Sequence, residues 1–448
     1  MSKNNLSYGI DFGTTNSTIA LVGTNNKKIE IPIDTNAQDP AVMRSVIYID
    51  PNRKFSFGSE AIKKYLDAVK ESHGTEYKTV LTGNYIKVLT SVGGTELVPE
   101  TVETEVIPSG RFLQSLKSAL SNHSVKKINL FGSDYLIEEI IGMFLSEMKK
   151  KADKEIGEVI NTAVIGRPIE YVGNNNDLAL KRMKSAAEYA GFKKVSFEYE
   201  PIGAAYDYGV NIHTRQNALI FDFGGGTLDI SVVRFPERKI LSNVGMKIGG
   251  DYFDAKIFSE KLAHFFGKGV TYGKSRIELP THIFDSLESW YGITLLKSRE
   301  FFNSFENFRF MCSDMKSVNA LKSLVFNNLG FKMYEEIERV KKDLTETYEA
   351  TYDFLESQIQ INTIITKAEF EEMIEDDLKS INNSLGLAIL NAHLNIDDID
   401  CVVTTGGSSL IPAVKKSLIN FFGRERIISS NTFTSVASGL AQIAKMKS

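Results

Sequence analysis

Two short stretches of the chain carry the same residue types in the same order. Tyr8 to Val22 reads YGIDFGTTNSTIALV, and Leu219 to Val233 reads LIFDFGGGTLDISVV. Laid over each other, Asp11 meets Asp222, Phe12 meets Phe223, Gly13 meets Gly224, Ile19 meets Ile230 and Val22 meets Val233. Each is an apolar strand ending in Asp, then a turn of glycine and small hydroxylated residues, then a second apolar strand. Glycine lets backbone approach a ligand closely, and successive N–H groups at such a turn form an anion nest. A carboxylate beside an anion is unfavourable unless a cation lies between them. Magnesium fills that place, keeping most of its waters and meeting one or two carboxylates plus phosphate. A single copy could be an ordinary hairpin turn. Two copies in matching context favour a two-jaw clamp for a metal–polyphosphate.

Two more glycine turns follow. VVTTGGSSLIP places Gly406, Gly407 and Ser408 between a strand and a helix, whose N-terminus favours a phosphate or a polar ligand edge. IGGDYFD, with Gly249, Gly250 and Asp251, is a weaker signal that could be a helix cap alone. Along YEEIERVKKDLTETY, Glu338, Lys341 and Thr345 share one polar helix face, for which solvation is the simpler explanation from spacing.

The elements that must position these turns follow from the patterning. The first 33 residues read as three strands, and RSVIYID with KFSFGSEAIKKYL as a strand pair and a helix. Residues from about 65 to 108 read as an inserted subdomain, and those from about 267 to 332 as aromatic-rich and irregular. From Leu136 the apolar period becomes helical, and SVASGLAQIAKM reads as a short final helix. Hairpins first, helices after, and the whole repeated once: this is a duplicated α/β architecture with its ligand in the crevice between the halves. A length of 448 residues also calls for more than one core.

Bulk properties exclude other classes. A formal net charge of −4 leaves no nucleic-acid footprint. The two cysteines, Cys312 and Cys401, and the six histidines have no metal-ligand spacing, so a protein-built zinc site is not expected. No apolar run reaches membrane-spanning length and the N-terminus is polar, so a cytoplasmic protein without membrane association is expected.

Taken together, these segments resemble the actin/hexokinase/heat-shock ATPase fold, and specifically the ATPase half of the DnaK-type seventy-kilodalton heat-shock chaperones. GIDFGTTNS and FDFGGGTLDIS resemble that family's two phosphate motifs, and EPIGAAYDYG its connecting segment. IGGDYFD, ERVKKDLT and TTGGSSLIP resemble its remaining nucleotide-binding segments, in the same chain order. The chain length, AVIGRP and the insert with IELP before Trp290 are most similar to the short YegD-type branch.

The resemblance implies two ribonuclease-H-like lobes around a nucleotide cleft, each with an inserted subdomain. The lobes would be residues 1–210, with an upper subdomain at about 42–112, and 211–448, with one at about 257–335. A final helix over 434–448 would return to the first lobe. The implied cofactors are ATP or ADP and Mg2+. Asp11 and Asp222 would hold the metal through its waters. Gly13, Thr14, Thr15, Asn16, Gly224, Gly225, Gly226 and Thr227 would cradle the phosphates. Glu200 would order a water, Asp229 would be a candidate proton acceptor, and Lys117, in FLQSLKSAL, would stabilise charge on the transferring phosphoryl. Glu338, Lys341, Lys342 and Thr345 would meet adenosine, with Gly406, Gly407 and Ser408 on its other side. Pro168 falls where the family has a proline that couples nucleotide state to the rest of the molecule.

Departures from the family pattern matter too. Leu410 stands where an arginine usually stacks on adenine, so the cation–π contribution is lost. Phe433 and Thr434 replace the acids that usually precede the last helix. No peptide-binding domain is expected within these residues. The expected function is a slow Mg-ATPase switch acting through an unidentified protein partner or co-chaperone, with a monomer favoured. A metabolite kinase, a filament protein and a non-hydrolysing pseudo-ATPase are the alternatives on this fold.

Overall fold

The computed structural model describes residues 6–23, 25–71, 76–89, 95–106, 110–122, 127–171, 175–208, 213–297, 299–429 and 434–446. Two sheets of the same topology dominate it. In the first, Tyr8–Phe12 pairs antiparallel with Asn16–Val22, which pairs with Lys28–Glu30. On its other side Tyr8–Phe12 runs parallel to Thr162–Arg167, and that strand runs parallel to Lys194–Tyr199. The second sheet repeats the plan: Gln216–Phe223 is antiparallel to Leu228–Phe235, which pairs with Lys239–Met246. Gln216–Phe223 then runs parallel to Cys401–Thr405, and Cys401–Thr405 to Ile427–Ser429. The sequence repeat is therefore a repeat of topology. Tyr8, Ile10 and Phe12 bury one face of the first central strand; in the second, Leu219, Phe221 and Phe223 bury one face and Ala218 and Ile220 the other.

Two helices fill the space between the sheets. Glu200–Asp207 and Ser435–Met446 pack against each other, and Ala204, Ala205, Leu440 and Ile443 join Val164 of the first sheet and Ile220 and Val403 of the second in one apolar cluster. Small residues make this approach possible. A side-chain carbon added at Gly439 would lie 1.7 Å from the Gly203 carbonyl oxygen, and one at Gly9 would lie 2.2 Å from that of Ala437. Lys445 Nζ also donates to Gly23 O at 2.6 Å, and Thr434 Oγ1 to Glu30 Oε1 at 2.6 Å. Phe433 lies outside the described residues.

One stretch differs from its sequence expectation. The aromatic-rich stretch from about 267 to 332 is mostly helical rather than irregular, with helices Thr281–Leu287, Trp290–Leu295, Arg299–Arg309 and Met315–Phe326. Phe301, Phe305 and Phe308 recur at helical spacing and are buried, whereas Phe302 and Phe310 are exposed. With aromatics on both faces, the period is masked in the sequence. The insert after residue 65 continues the helix Gly58–Glu71 and then forms a long antiparallel ribbon of Glu76–Leu89 with Thr95–Val106.

Candidate functional site

In each phosphate-type turn several carbonyls are hydrogen-bonded while a run of amides is not, although Gly224 N donates to Thr227 O at 3.1 Å. At the first turn, Ser45 Oγ donates to Gly13 O at 2.8 Å and Ser45 N to Thr15 O at 2.8 Å. At the second, Gly224 O accepts from Ser408 Oγ at 2.9 Å and from Gly250 N at 3.0 Å, and Gly225 O accepts from Asp251 N at 2.8 Å. Among the described residues, the N–H groups of Thr14, Thr15, Gly225, Gly226 and Thr227 have no hydrogen-bond partner. Unpaired amides clustered at a turn can receive an anion.

The turns also face each other. A side-chain carbon at Gly225 would lie 2.8 Å from Thr15 Oγ1 and 3.3 Å from Asp251 Oδ1. One at Gly249 would lie 2.2 Å from Gly225 O, and one at Gly406, with φ +79°, 2.2 Å from Phe223 O. All four glycine turns named from the sequence thus converge, and glycine is required where they touch. Asn16 opens the outgoing strand of the first turn, paired with Arg44.

Beside the turns lies a buried group of acids around one lysine. Lys117 Nζ meets Glu200 Oε1 at 2.8 Å, each side chain 12% exposed. Asp222 and Asp229 are directly opposed across the hairpin, and Thr227 Oγ1 donates to Asp229 Oδ2 at 3.2 Å. Burial, reinforced by the Glu200 charge and opposed by Lys117, pushes the Asp11 carboxyl up to about 7. Burial and then Asp229, Glu200 and Asp11 push Asp222 well above the carboxylate range. Asp229 is raised by burial and Glu200. Burial opposes the Lys117 charge, but Glu200 and Asp11 outweigh it and raise its pKa.

Four carboxylates face one ammonium, so the cluster needs another positive charge to ionise fully. A divalent cation fits that need. Among the described residues no three acids, histidines or cysteines form a group that could hold a metal ion directly.

Sequence reasoning missed some neighbours. The Tyr171 hydroxyl is buried without a hydrogen-bond partner among the described residues. Burial, with Lys117, Glu200 and Arg167 acting on it, brings its pKa to about 12. It belongs to no motif, and only the fold brings it to the Lys117–Glu200 pair. Pro168 follows the end of the strand Thr162–Arg167.

The expected nucleoside residues gather on the helix Gly330–Glu346. Lys341 Nζ bonds Gly250 O at 2.8 Å and pairs with Asp254 Oδ1 at 2.8 Å. Burial, only partly offset by Lys341, raises Asp254 to about 6. A carbon at Gly250 would lie 3.0 Å from Ser408 Oγ and 3.2 Å from Lys341 Nζ, so three separate motifs meet there. Thr345 uses its hydroxyl on Lys342 O at 2.7 Å. Leu410 ends the 3-10 turn Gly407–Leu410.

Glu338 is held twice, by Arg44 Nη2 at 2.6 Å and by Lys342 Nζ at 3.0 Å. Arg44 comes from the first sheet, so this pair ties the two halves together. Burial opposes the Glu338 charge, but Arg44, Lys342 and Lys341 prevail and hold its pKa at about 2. A depressed folded-state pKa stabilises the fold above the free-glutamate value and loses that effect as pH falls towards 2. Glu338→Gln should therefore cost about 1–2 kcal/mol at neutral pH, between exposed and buried pairs. Denaturant titrations should show the difference from wild type shrinking as pH drops below about 4.5.

A family model described as Hsp70 protein matches residues 7–275 and 308–448. The chain belongs to the Hsp70 family. Membership carries the actin-like ATPase fold, binding of ATP and ADP, and chaperone-like function, usually with co-chaperones. The Hsp70 match leaves out residues 276–307, which include the helices around Trp290. Trp290 packs edge-on against Phe112 at 5.1 Å and Phe331 at 5.6 Å, with Tyr65 at 6.4 Å. Phe112 lies on the strand Arg111–Leu113 and Tyr65 on the helix Gly58–Glu71, so these rings join segments distant in sequence. Phe331 lies about 10 Å along its helix from Glu338. Because Trp290 is the only tryptophan, its emission should shift when Mg-ATP is added to the protein, and Phe112→Ala should reduce that shift.

Proposed function

We propose that this Hsp70-family chain binds Mg-ATP between its facing turns, hydrolyses it slowly to ADP and phosphate, and changes cleft opening with nucleotide state. The observation that carries this is the pair of opposed turns with unbonded amides, flanked by Asp11, Asp222, Asp229 and the Lys117–Glu200 pair. Thr14, Thr15 and Gly224 to Thr227 hold the β- and γ-phosphates. Asp11 and Asp222 receive hydrated Mg2+, which when bound supplies the charge that the acid cluster lacks.

Lys117 stabilises charge on the transferring phosphoryl, since phosphoryl transfer needs positioning and electrostatics more than covalent chemistry. Glu200 orients the attacking water, and Asp229 is the acceptor for its proton. Glu338, Lys341, Lys342, Thr345 and Ser408 flank the nucleoside, with Leu410 replacing a cationic stacking partner. Residues 1–210 and 211–448 act as the two lobes, with upper subdomains at about 42–112 and 257–335. The lobe movement is passed to a protein partner, and Pro168 at a strand end is placed to take part. Cytoplasmic placement and a YegD-like branch position belong to the same proposal. Among the described residues no helix is long and apolar enough to cross a membrane.

Single-turnover incubation of the protein with Mg-ATP and no acceptor tests the proposal. Slow release of phosphate is expected. Tight binding without phosphate release would replace it with a pseudo-ATPase, which the Leu410 departure favours. Release of ADP only when an acceptor is added would replace it with a kinase.

A further inference from the structure

Lys117 is carried by very little structure. It lies in a four-residue helical turn, Leu116–Ala119, entered through Ser115 at φ +54°, a left-handed conformation that a serine adopts at a cost. A single turn of helix has no independent stability. Leu116 and Leu120 anchor its apolar side in the first core. Its polar end is held by one side chain from elsewhere. Arg182, on the helix Asn176–Tyr189, directs Nη1 to the carbonyl oxygens of Ala119, Leu120 and Asn122, each at 3.0 Å. Ala119 O also accepts from Asn122 N at 3.3 Å, and Arg182 gathers three oxygens at the end of this one turn. Arg182 is 7% exposed, and Glu138 Oε2 lies 3.9 Å from its Nε. Its Nη1 is directed at the Lys117 turn.

We propose that Arg182 is a positioning residue for hydrolysis: by clamping the end of this turn it fixes the backbone from which Lys117 reaches the phosphoryl site. The proposal rests on the role given to Lys117 above. A group that stabilises a transition state must be held to within about 0.5 Å, and the Lys117–Glu200 contact alone fixes only the tip of a long, flexible side chain. Arg182 touches no nucleotide. Its loss should therefore lower the rate of the chemical step and leave binding nearly unchanged.

The experiment is a double-mutant cycle on the full chain, with Arg182→Met, Lys117→Ala and the double variant. Single-turnover hydrolysis and ATP affinity are measured for each, well below its melting temperature. Arg182→Met should slow hydrolysis roughly 10- to 100-fold with affinity changed less than about threefold, and should add nothing in the Lys117→Ala background. Arg182→Lys, which keeps the charge but not the fork, should recover part of the rate.

A merely structural arginine would lower the melting temperature and leave the rate of the folded protein unchanged, which would overturn the proposal. Equal slowing in both backgrounds would also overturn it, because the effect would then not run through Lys117. If Arg182→Met does not fold, the same comparison is made with Arg182→Lys. If Lys117→Ala alone hydrolyses at the wild-type rate, the role given to Lys117 fails first, and a slow Arg182→Met would then point to a different dependent group.

Discussion

Lys117→Ala should slow single-turnover hydrolysis of Mg-ATP by roughly 100- to 1,000-fold, the usual cost of removing one preorganised electrostatic group from such a site. ATP affinity should change far less, because the amides of Thr14, Thr15 and Gly225 to Thr227 and the Glu338 helix remain in place. Equilibrium binding and quenched-flow phosphate release, measured on the same preparation, separate the two effects. The substitution also leaves Glu200, 12% exposed, without its partner at 2.8 Å. Some loss of melting temperature is expected from that alone, so the rate must be read on folded protein. Lys117→Met, which keeps the volume, should lose the rate to the same extent. An unchanged rate in both variants would remove Lys117 from the catalytic group.

The second large effect is structural. Gly439 lies where the final helix presses on the helix Glu200–Asp207, and an added side-chain carbon would fall 1.7 Å from a carbonyl oxygen at Gly203. The obstacle is backbone on both sides and cannot be moved by a rotamer change. Gly439→Ala should cost about 3 kcal/mol, the upper end for overpacking, and lower the melting temperature by roughly 3 °C in a chain of this length. Gly386 is the control, a glycine inside the helix Glu375–Asn391 with nothing within 4 Å of the added carbon. Gly386→Ala should raise stability by about 0.5–1 kcal/mol. Thermal unfolding of the two variants side by side checks both. Equal effects would mean that the helix–helix contact tolerates separation.

Beyond these two sites, the described surface holds a second point of contact between the halves. Arg44–Glu338 and the rings around Trp290 both join segments far apart in sequence. The ion pair is family-matched on both sides, while Trp290 lies in the segment outside the match.

Much of the site was legible because its chemistry is local. A strand ending in Asp followed by glycine and hydroxyl residues encodes a turn with free amides wherever it occurs, and the two copies at Asp11 and Asp222 carry their own geometry. The duplicated architecture was readable from the repeat, but the order in which the strands pair came only from the structure. A helix over YEEIERVKKDLTETY and its polar face were readable from period, with solvation the simpler explanation of that face; in the structure Gly250 lies against Lys341.

Other features required the tertiary structure, because they depend on residues distant in sequence. Arg44 and Glu338 are 294 positions apart, and neither belongs to a motif that names the other. Arg182 reads as one more charge on an amphipathic helix, and Tyr171 as one more tyrosine. Only burial beside Lys117 gives either a task. The aromatic insert read as irregular because phenylalanines on both faces hide a helical period, and packing decides which face turns inward. Local chemistry determined which turns leave backbone amides unpaired. Long-range packing decided which turns meet, which charges share a low-dielectric space, and so which carboxyl groups have raised pKa values.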